Sequence, residues 1–197
     1  MVSFSKIKLV LCVIYMIILS NIKQFTTSLH LVKSPPAIYY NRKEGKQYLT
    51  SEEFQKQNCI QDKQIISISP GGWQGFYMFG VTKYIKDYYD LHNFIYTSAS
   101  AGAWNSLFLS YKHDDNDFYH LVSRNLSPTK NIADVETNLK NIFLTQFTDD
   151  DFALENIFLS VTSLQPYMIQ THVYYNFYNL EDALDCCIAS SHIPFIT

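Results

Sequence analysis

Ser100 stands in a run of small residues that is typical of a catalytic nucleophile. Residues 98–103 read SASAGA, so a small residue lies two positions before the serine and Gly102 lies two positions after it. Apolar residues before this run predict a short buried strand, and the residues after it have helical spacing. Hydrolases hold a nucleophilic serine on such a sharp turn, because small neighbours let the backbone pass close to the sheet and the substrate. A serine here is equally suited to cap the helix, so the motif alone leaves both roles open.

The second feature that could take part in catalysis is a pair of glycines, Gly71 and Gly72. It follows an apolar run at residues 65–68. A serine that attacks a carbonyl needs hydrogen-bond donors for the oxyanion that forms. Glycines at the start of a helix leave backbone N–H groups unpaired and pointing outward, which suits that role. A simple tight turn is the alternative. Because a strand precedes each turn and a helix follows each, the two turns together favour a functional site.

The elements that carry these turns alternate along the chain as in an α/β protein. Residues 64–69 and 94–97 predict strands, and residues 74–89 and 101–111 predict helices. This alternation predicts a three-layer α/β/α sandwich with a largely parallel central sheet. Two later strands and a last helix are predicted at residues 160–164, 172–177 and 181–189.

Composition places the 197-residue chain among ordinary globular proteins. Hydrophobic residues make up 47%, enough for a sizeable core, and a formal net charge of −3 gives no basis for nucleic-acid binding. Aromatic residues make up 16%, a share that core and surface filling explain and that would also suit an acyl-chain site. The histidines are scattered, and the acidic run at residues 114–117 lacks the ligand spacing of a calcium loop. Neither a metal nor another cofactor is predicted.

The N-terminus has the pattern of a targeting segment. Lys6 and Lys8 precede an uninterrupted apolar run of eleven residues at 9–19. A basic start and an apolar core of that length are typical of a signal peptide, with a membrane anchor or a buried first helix as alternatives. We therefore expect a signal peptide or membrane anchor at residues 1–28 and a polar connector at residues 29–62. The protein is expected to enter the secretory pathway and to be secreted or membrane-associated.

Four segments, taken in order, resemble the patatin-like phospholipases. Residues 70–75, PGGWQG, are similar to the family motif G-G-G-x-R-G, and residues 80–81 match a G-V pair in the helix that follows it. Residues 98–103 are similar to G-x-S-x-G-A, and residues 189–195, ASSHIPF, are similar to A-S-x-A-x-P-x-F. The resemblance covers residues 63–197 and implies a patatin-like acyl hydrolase domain.

The resemblance implies a lipid acyl hydrolase of the phospholipase A or acylglycerol lipase type, which uses a Ser-Asp dyad and no cofactor. Ser100 would attack an ester carbonyl of a glycerolipid or phospholipid at a membrane or lipid droplet, and water would resolve the acyl-enzyme. The backbone N–H groups of Gly71, Gly72 and Trp73 would hold the oxyanion. The remaining motif positions are Gly75, Ser98 and Gly102.

Three positions depart from the family pattern. Ser98 replaces the first glycine of the serine motif, and Gln74 replaces the usual arginine. Pro70 replaces the first glycine of the oxyanion turn and removes one N–H group. The family's catalytic aspartate lies in an Asp-Gly-Gly or Asp-Gly-Ala motif soon after the A-S segment, and the sequence contains no Asp-Gly pair. The hydrolase domain is therefore expected to be incomplete at its C-terminus, with the general base beyond Thr197.

Two other functions stay open from the residues alone. One is a catalytically inactive patatin-fold protein that binds lipid, which the three departures favour. The other is a Ser-His-Asp α/β-hydrolase, in which a histidine would act as the base. His192 is the best placed histidine in sequence, although the family counterpart of its segment is apolar.

Overall fold

The computed structural model describes most of the chain from residue 35 onward. The described ranges are residues 35–48, 50–57, 60–125, 132–165 and 168–193. The signal peptide or anchor predicted at residues 1–28 lies outside them. Within the described ranges, the structure contains no helix with the length and apolar character that a membrane crossing requires.

A six-stranded mixed sheet organises the described residues, with the strand order β2-β1-β6-β5-β4-β3. The strands β3, β4 and β5 run parallel, as do β1 and β6, while the pairs β1–β2 and β5–β6 are antiparallel. The predicted α/β class and the mostly parallel sheet are thus confirmed. In chain order the strands are β1 Ile38–Asn41, β2 Lys46–Tyr48, β3 Gln64–Ile68, β4 Phe94–Ala99, β5 Ile157–Gln165 and β6 Met168–Tyr175.

Helices flank this sheet, and the predicted helices that carry the two turns differ from the observed ones by no more than one residue at each end. Short 3₁₀ turns occur as well, and one of them lies at Gly72–Gln74. The helices of the described ranges are α1 Ser51–Gln55, α2 Gly75–Tyr88, α3 Ala101–Ser110, α4 Asp115–Asn125, α5 Ile132–Gln146 and α6 Leu180–Ser191.

Part of the segment predicted to be a polar connector is built into the sheet, which corrects that expectation for its described residues. The strands β1 and β2 form a hairpin, and Tyr39 of β1 pairs with Val173 of β6. The ring of Phe54 in α1 stacks on Tyr39, with 4.2 Å between the ring centroids. The aromatic residues of this segment are interspersed with charged ones, so its average polarity concealed the strand pattern. The unit that contains the sheet begins at Pro36.

Alternate residues along the central strands pack on opposite faces of the sheet. Tyr96 of β4 belongs to the larger apolar core, to which helices α2 to α6 all contribute. Its neighbour Ile95 belongs to a smaller cluster around Phe54 of α1. The larger core is rich in phenylalanine, with Phe79, Phe108 and Phe118 in mutual ring contact.

The parallel pairing of β3 and β4 positions the two turns of interest. Ile68, the last residue of β3, pairs with Ser98 of β4. Parallel strands end at the same edge of a sheet, so the glycine turn that follows β3 and the serine turn that follows β4 lie side by side.

Candidate active site

Ser100 occupies a strained turn between β4 and α3. Its backbone φ is 54° and its ψ is −130°, a conformation that residues other than glycine rarely adopt. The turn is held from two sides, because the Ser100 N–H donates to Ser190 Oγ at 2.7 Å and the Ser100 carbonyl accepts from the Ala103 N–H at 2.8 Å. The Ser100 side chain makes no capping hydrogen bond to α3. The alternative role as a side-chain helix cap is therefore wrong.

Two glycines allow the backbone segments around Ser100 to approach closely. A Cβ on Gly102 would lie 2.7 Å from the carbonyl oxygen of Ile68 and 3.0 Å from that of Ser69. A Cβ on Gly75 would lie 2.6 Å from the Cβ of Ala101. The start of α3 thus packs against the end of β3 and against the start of α2, which brings both motifs into one site.

Ser98, which stands where the family pattern has glycine, lies in β4 with its side chain buried. Its hydroxyl accepts a hydrogen bond from Ser106 Oγ on α3, with 2.7 Å between the oxygens. The extended backbone at this position does not require glycine, and the small serine on the facing helix leaves room for a second hydroxyl.

Ser106→Ala is expected to lower the free energy of unfolding by about 1–2 kcal/mol, because it removes the hydroxyl that donates to the buried Ser98. The double variant Ser98→Ala/Ser106→Ala is expected to cost less than the sum of the two single variants. Urea denaturation of all four proteins gives the coupling energy. Strictly additive costs would show that the two hydroxyls do not stabilise each other.

A buried polar link between α2 and α3, which the sequence analysis missed, fixes the starts of the two helices. The Asn105 side-chain amide donates to the carbonyls of Gly75 at 3.3 Å and Ala101 at 2.9 Å. Its Oδ1 accepts from Thr82 Oγ1 at 3.0 Å. The sequence feature that could have indicated this link is an asparagine on the otherwise small and apolar face of α3.

The glycine turn lies at the same end of the sheet as Ser100. Gly72 has a φ of 51°, and the Gln74 N–H donates to the Gly71 carbonyl at 2.9 Å. The first N–H groups of a helical turn have no carbonyl behind them, so those of Gly72 and Trp73 are the available donors of this turn. Gly72 and Ser100 line one cavity, whereas Gly71 precedes the turn.

That cavity has a volume of about 130 Å³ and a largely apolar lining. Phe76 and Ile193, which also line it, are exposed at 43% and 44%. Its polar residues are Ser100, Asn105, Glu136 and Ser191. The apolar side chains that line it include Phe79, Trp104, Phe118, Val122, Leu139 and Phe143.

The chain was compared with protein-family models, with curated proteins and with solved structures. None of the three comparisons gave a match. The patatin resemblance therefore stays a proposal, supported by the sequence segments and by the geometry around Ser100.

Glu136 is a buried carboxyl in this cavity that the sequence analysis did not single out. It is 6% exposed and accepts a hydrogen bond from the Ser191 hydroxyl, which in turn accepts from Trp104 Nε1 at 3.2 Å. Burial raises the pKa of Glu136, and the Ser191 hydrogen bond and the nearby His192 act in the opposite direction. The available signal was its place on α5 three residues before Leu139, on the apolar stripe of that helix.

The stability of the protein is expected to fall with rising pH through Glu136. Its pKa is raised above the ordinary value of 4.5, so the folded state holds this proton more tightly than the unfolded chain does. Above that ordinary value the unfolded chain ionises first, and the stabilising effect of the proton is lost as pH passes the folded pKa. Glu136→Gln cannot ionise. The melting temperature of this variant minus that of the wild type should therefore increase from about pH 4 to about pH 8. A constant difference would contradict the expectation.

No histidine of the described ranges lines the cavity of Ser100. His92 contacts Asp90 at 2.9 Å and His113 contacts Asp151 at 2.7 Å. His192 is exposed at the end of α6, although its neighbours Ser191 and Ile193 line the cavity. His30 lies outside the described residues. The geometry therefore does not favour a histidine as the base for Ser100.

Proposed function

We propose that this protein is a serine acyl hydrolase of patatin-like fold, which cleaves carboxylic ester bonds of lipids through Ser100. The observation that carries the proposal is the Ser100 backbone, with φ 54° and ψ −130°, on a strand-to-helix turn beside an apolar cavity. Such backbone strain costs of order 1–3 kcal/mol and persists only where the surrounding structure enforces it. Strained residues of this kind cluster at active sites. A turn of this kind presents a serine hydroxyl to a substrate.

In the proposed reaction the Ser100 oxygen attacks the ester carbonyl, and its proton passes to a general base. The N–H groups of Gly72 and Trp73, with Gly71 as a third candidate, donate to the oxyanion, and the positive end of α3 adds to their effect. Collapse of the intermediate expels the alcohol, which takes up the proton. Water then hydrolyses the acyl-enzyme and releases the carboxylic acid. The resemblance assigns the base to an aspartate.

The volume of the cavity supports a substrate of which one small group is enclosed. An engineered cavity of about 150 Å³ holds a benzene molecule. The cavity beside Ser100, at about 130 Å³, therefore encloses a group of roughly six heavy atoms. A longer substrate group would extend past Phe76 and Ile193 to the outside of the protein.

The exposed face of α2 supports a lipid surface as the place of action. It begins at Phe76 beside the cavity and continues through Tyr77, which is 78% exposed, Val81 and Tyr84. Aromatic side chains with one polar tip are suited to the interface between membrane and water. This face would bring the cavity opening to a membrane or lipid droplet.

A serine-directed fluorophosphonate probe tests the proposal. The wild-type protein is expected to be labelled, and Ser100→Ala is expected not to be. Ser110→Ala, which changes a buried serine at the far end of α3, is the matched control and should keep the label. A wild-type protein that is folded by circular dichroism but unlabelled would contradict the enzyme and favour a lipid-binding protein without catalysis.

A further inference from the structure

A buried carboxyl group lies in the otherwise apolar and aromatic cavity beside Ser100. Glu136 is 6% exposed and lines that cavity. Its hydrogen-bond partner is the neutral Ser191 hydroxyl, and within the described part of the chain no ion pair forms at its carboxyl. Glutamate is rarely buried this far without a cationic partner, because the lost hydration of the carboxylate is costly. The nearby His192 acts on Glu136 from outside the cavity lining, so no cation of the described lining complements this carboxyl.

The rest of the lining suits a cation. Trp104, Phe118 and Phe143 border the cavity and form one aromatic wall, in which Phe143 stacks on Trp104 at 6.3 Å and on Phe118 at 5.1 Å between ring centroids. Aromatic side chains attract ammonium groups through the electrostatic potential of their rings. Of the described residues that line the cavity, none is basic. The charge and the ring composition thus favour a positively charged occupant.

We propose that the cavity selects an ester whose enclosed end carries an ammonium or trimethylammonium group, with Glu136 as its counter-ion and with the aromatic wall of Trp104, Phe118 and Phe143 beside it. This rests on the proposed function, because Ser100 in the same cavity is taken to attack the ester carbonyl. A trimethylammonium group lies within the size that the cavity encloses. A plain alkyl arm would instead leave Glu136 without a charged partner.

The Glu136 site and the nucleophile are held by the same two helices. On α3, Trp104 lies one turn after Ser100 and donates to Ser191 Oγ at 3.2 Å. On α6, Ser190 accepts from the Ser100 N–H, and its neighbour Ser191 donates to Glu136. Both connections fix the cation site relative to Ser100, so an ester of matching length would be oriented for attack.

A pair of matched esters tests the selectivity. Butyrylcholine is compared with 3,3-dimethylbutyl butyrate, in which an uncharged carbon replaces the quaternary nitrogen. The wild type is expected to favour the charged ester about tenfold or more in kcat/KM, the scale of one desolvated cation–π or charge-assisted contact. Glu136→Gln should lower this ratio severalfold, because only the aromatic side chains then favour the charged ester. Asp134→Asn, on the exposed side of α5, is the matched control and should keep the wild-type ratio.

Calorimetry with tetramethylammonium chloride tests the cation site without catalysis. Binding is expected for Ser100→Ala and should be lost in Ser100→Ala/Glu136→Gln. Equal hydrolysis of both esters by the wild type would overturn the selectivity and leave the hydrolase intact. An equal loss of both activities in Glu136→Gln would assign Glu136 to the reaction itself and also overturn the selectivity. Glu136-dependent tetramethylammonium binding by a protein that neither reacts with the fluorophosphonate nor hydrolyses either ester would keep the cation site and overturn the hydrolase.

Discussion

Ser100→Gly is expected to abolish ester hydrolysis while raising the free energy of unfolding by about 1 kcal/mol. The gain follows from the backbone, because glycine adopts a φ of 54° without the steric cost that serine bears there. The greater flexibility of glycine in the unfolded chain offsets part of it. The loss of activity follows from removal of the nucleophile and should reach a factor of about 10³ or more in kcat. Urea denaturation and an ester assay measure the two effects on the same protein.

Ser100→Ala separates the two causes. It removes the same hydroxyl and keeps the strained Cβ, so it should lose the activity without the gain in stability. If Ser100→Gly proved no more stable than Ser100→Ala, the backbone conformation at this turn would not lower the free energy of unfolding. If either variant kept wild-type hydrolysis, another residue would be the nucleophile.

Gly102→Ala is expected to lower the free energy of unfolding by about 2–3 kcal/mol. The new methyl group would lie 2.7 Å from the Ile68 carbonyl oxygen and 3.0 Å from that of Ser69. Both neighbours are backbone atoms at the end of β3, so the strand or the start of α3 has to shift. That shift would move Ser100 away from the glycine turn and lower kcat as well. Thermal or urea unfolding and the ester assay measure the two losses.

Gly80→Ala is the matched control for this substitution. Gly80 lies within α2, and a Cβ there meets nothing within 4 Å. Alanine should raise stability by about 0.5–1 kcal/mol through its higher helix propensity. A loss at Gly102 no larger than the change at Gly80 would show that the approach of α3 to β3 is loose enough to admit a methyl group.

The parts of the site that were predicted from the sequence depend on local patterns. The strand before Ser100 and the helix after it were visible because apolar periodicity and small residues act within a few positions of the chain. The glycine turn was visible for the same reason. The parallel direction of β3 and β4 followed from the alternation of strands and helices, which favours a parallel sheet.

The parts that the sequence did not reveal depend on contacts between distant residues. Ser190 holds the Ser100 N–H across 90 positions of the chain, and Ser191 meets Glu136 across 55. The polar composition of the segment around β1 and β2 likewise concealed a hairpin, because strand pairing with β6 depends on residues more than 100 positions away.

By itself, the sequence determined the α/β class and the two turns, because both depend on short-range backbone preferences. Only the tertiary structure decided that the Ser100 backbone is strained, that its hydroxyl does not cap α3, and that a buried carboxylate shares its cavity. These properties depend on how α2, α3, α5 and α6 pack on one face of the sheet. Packing of that kind is a sum of many contacts between distant residues, and it leaves no pattern in any one segment.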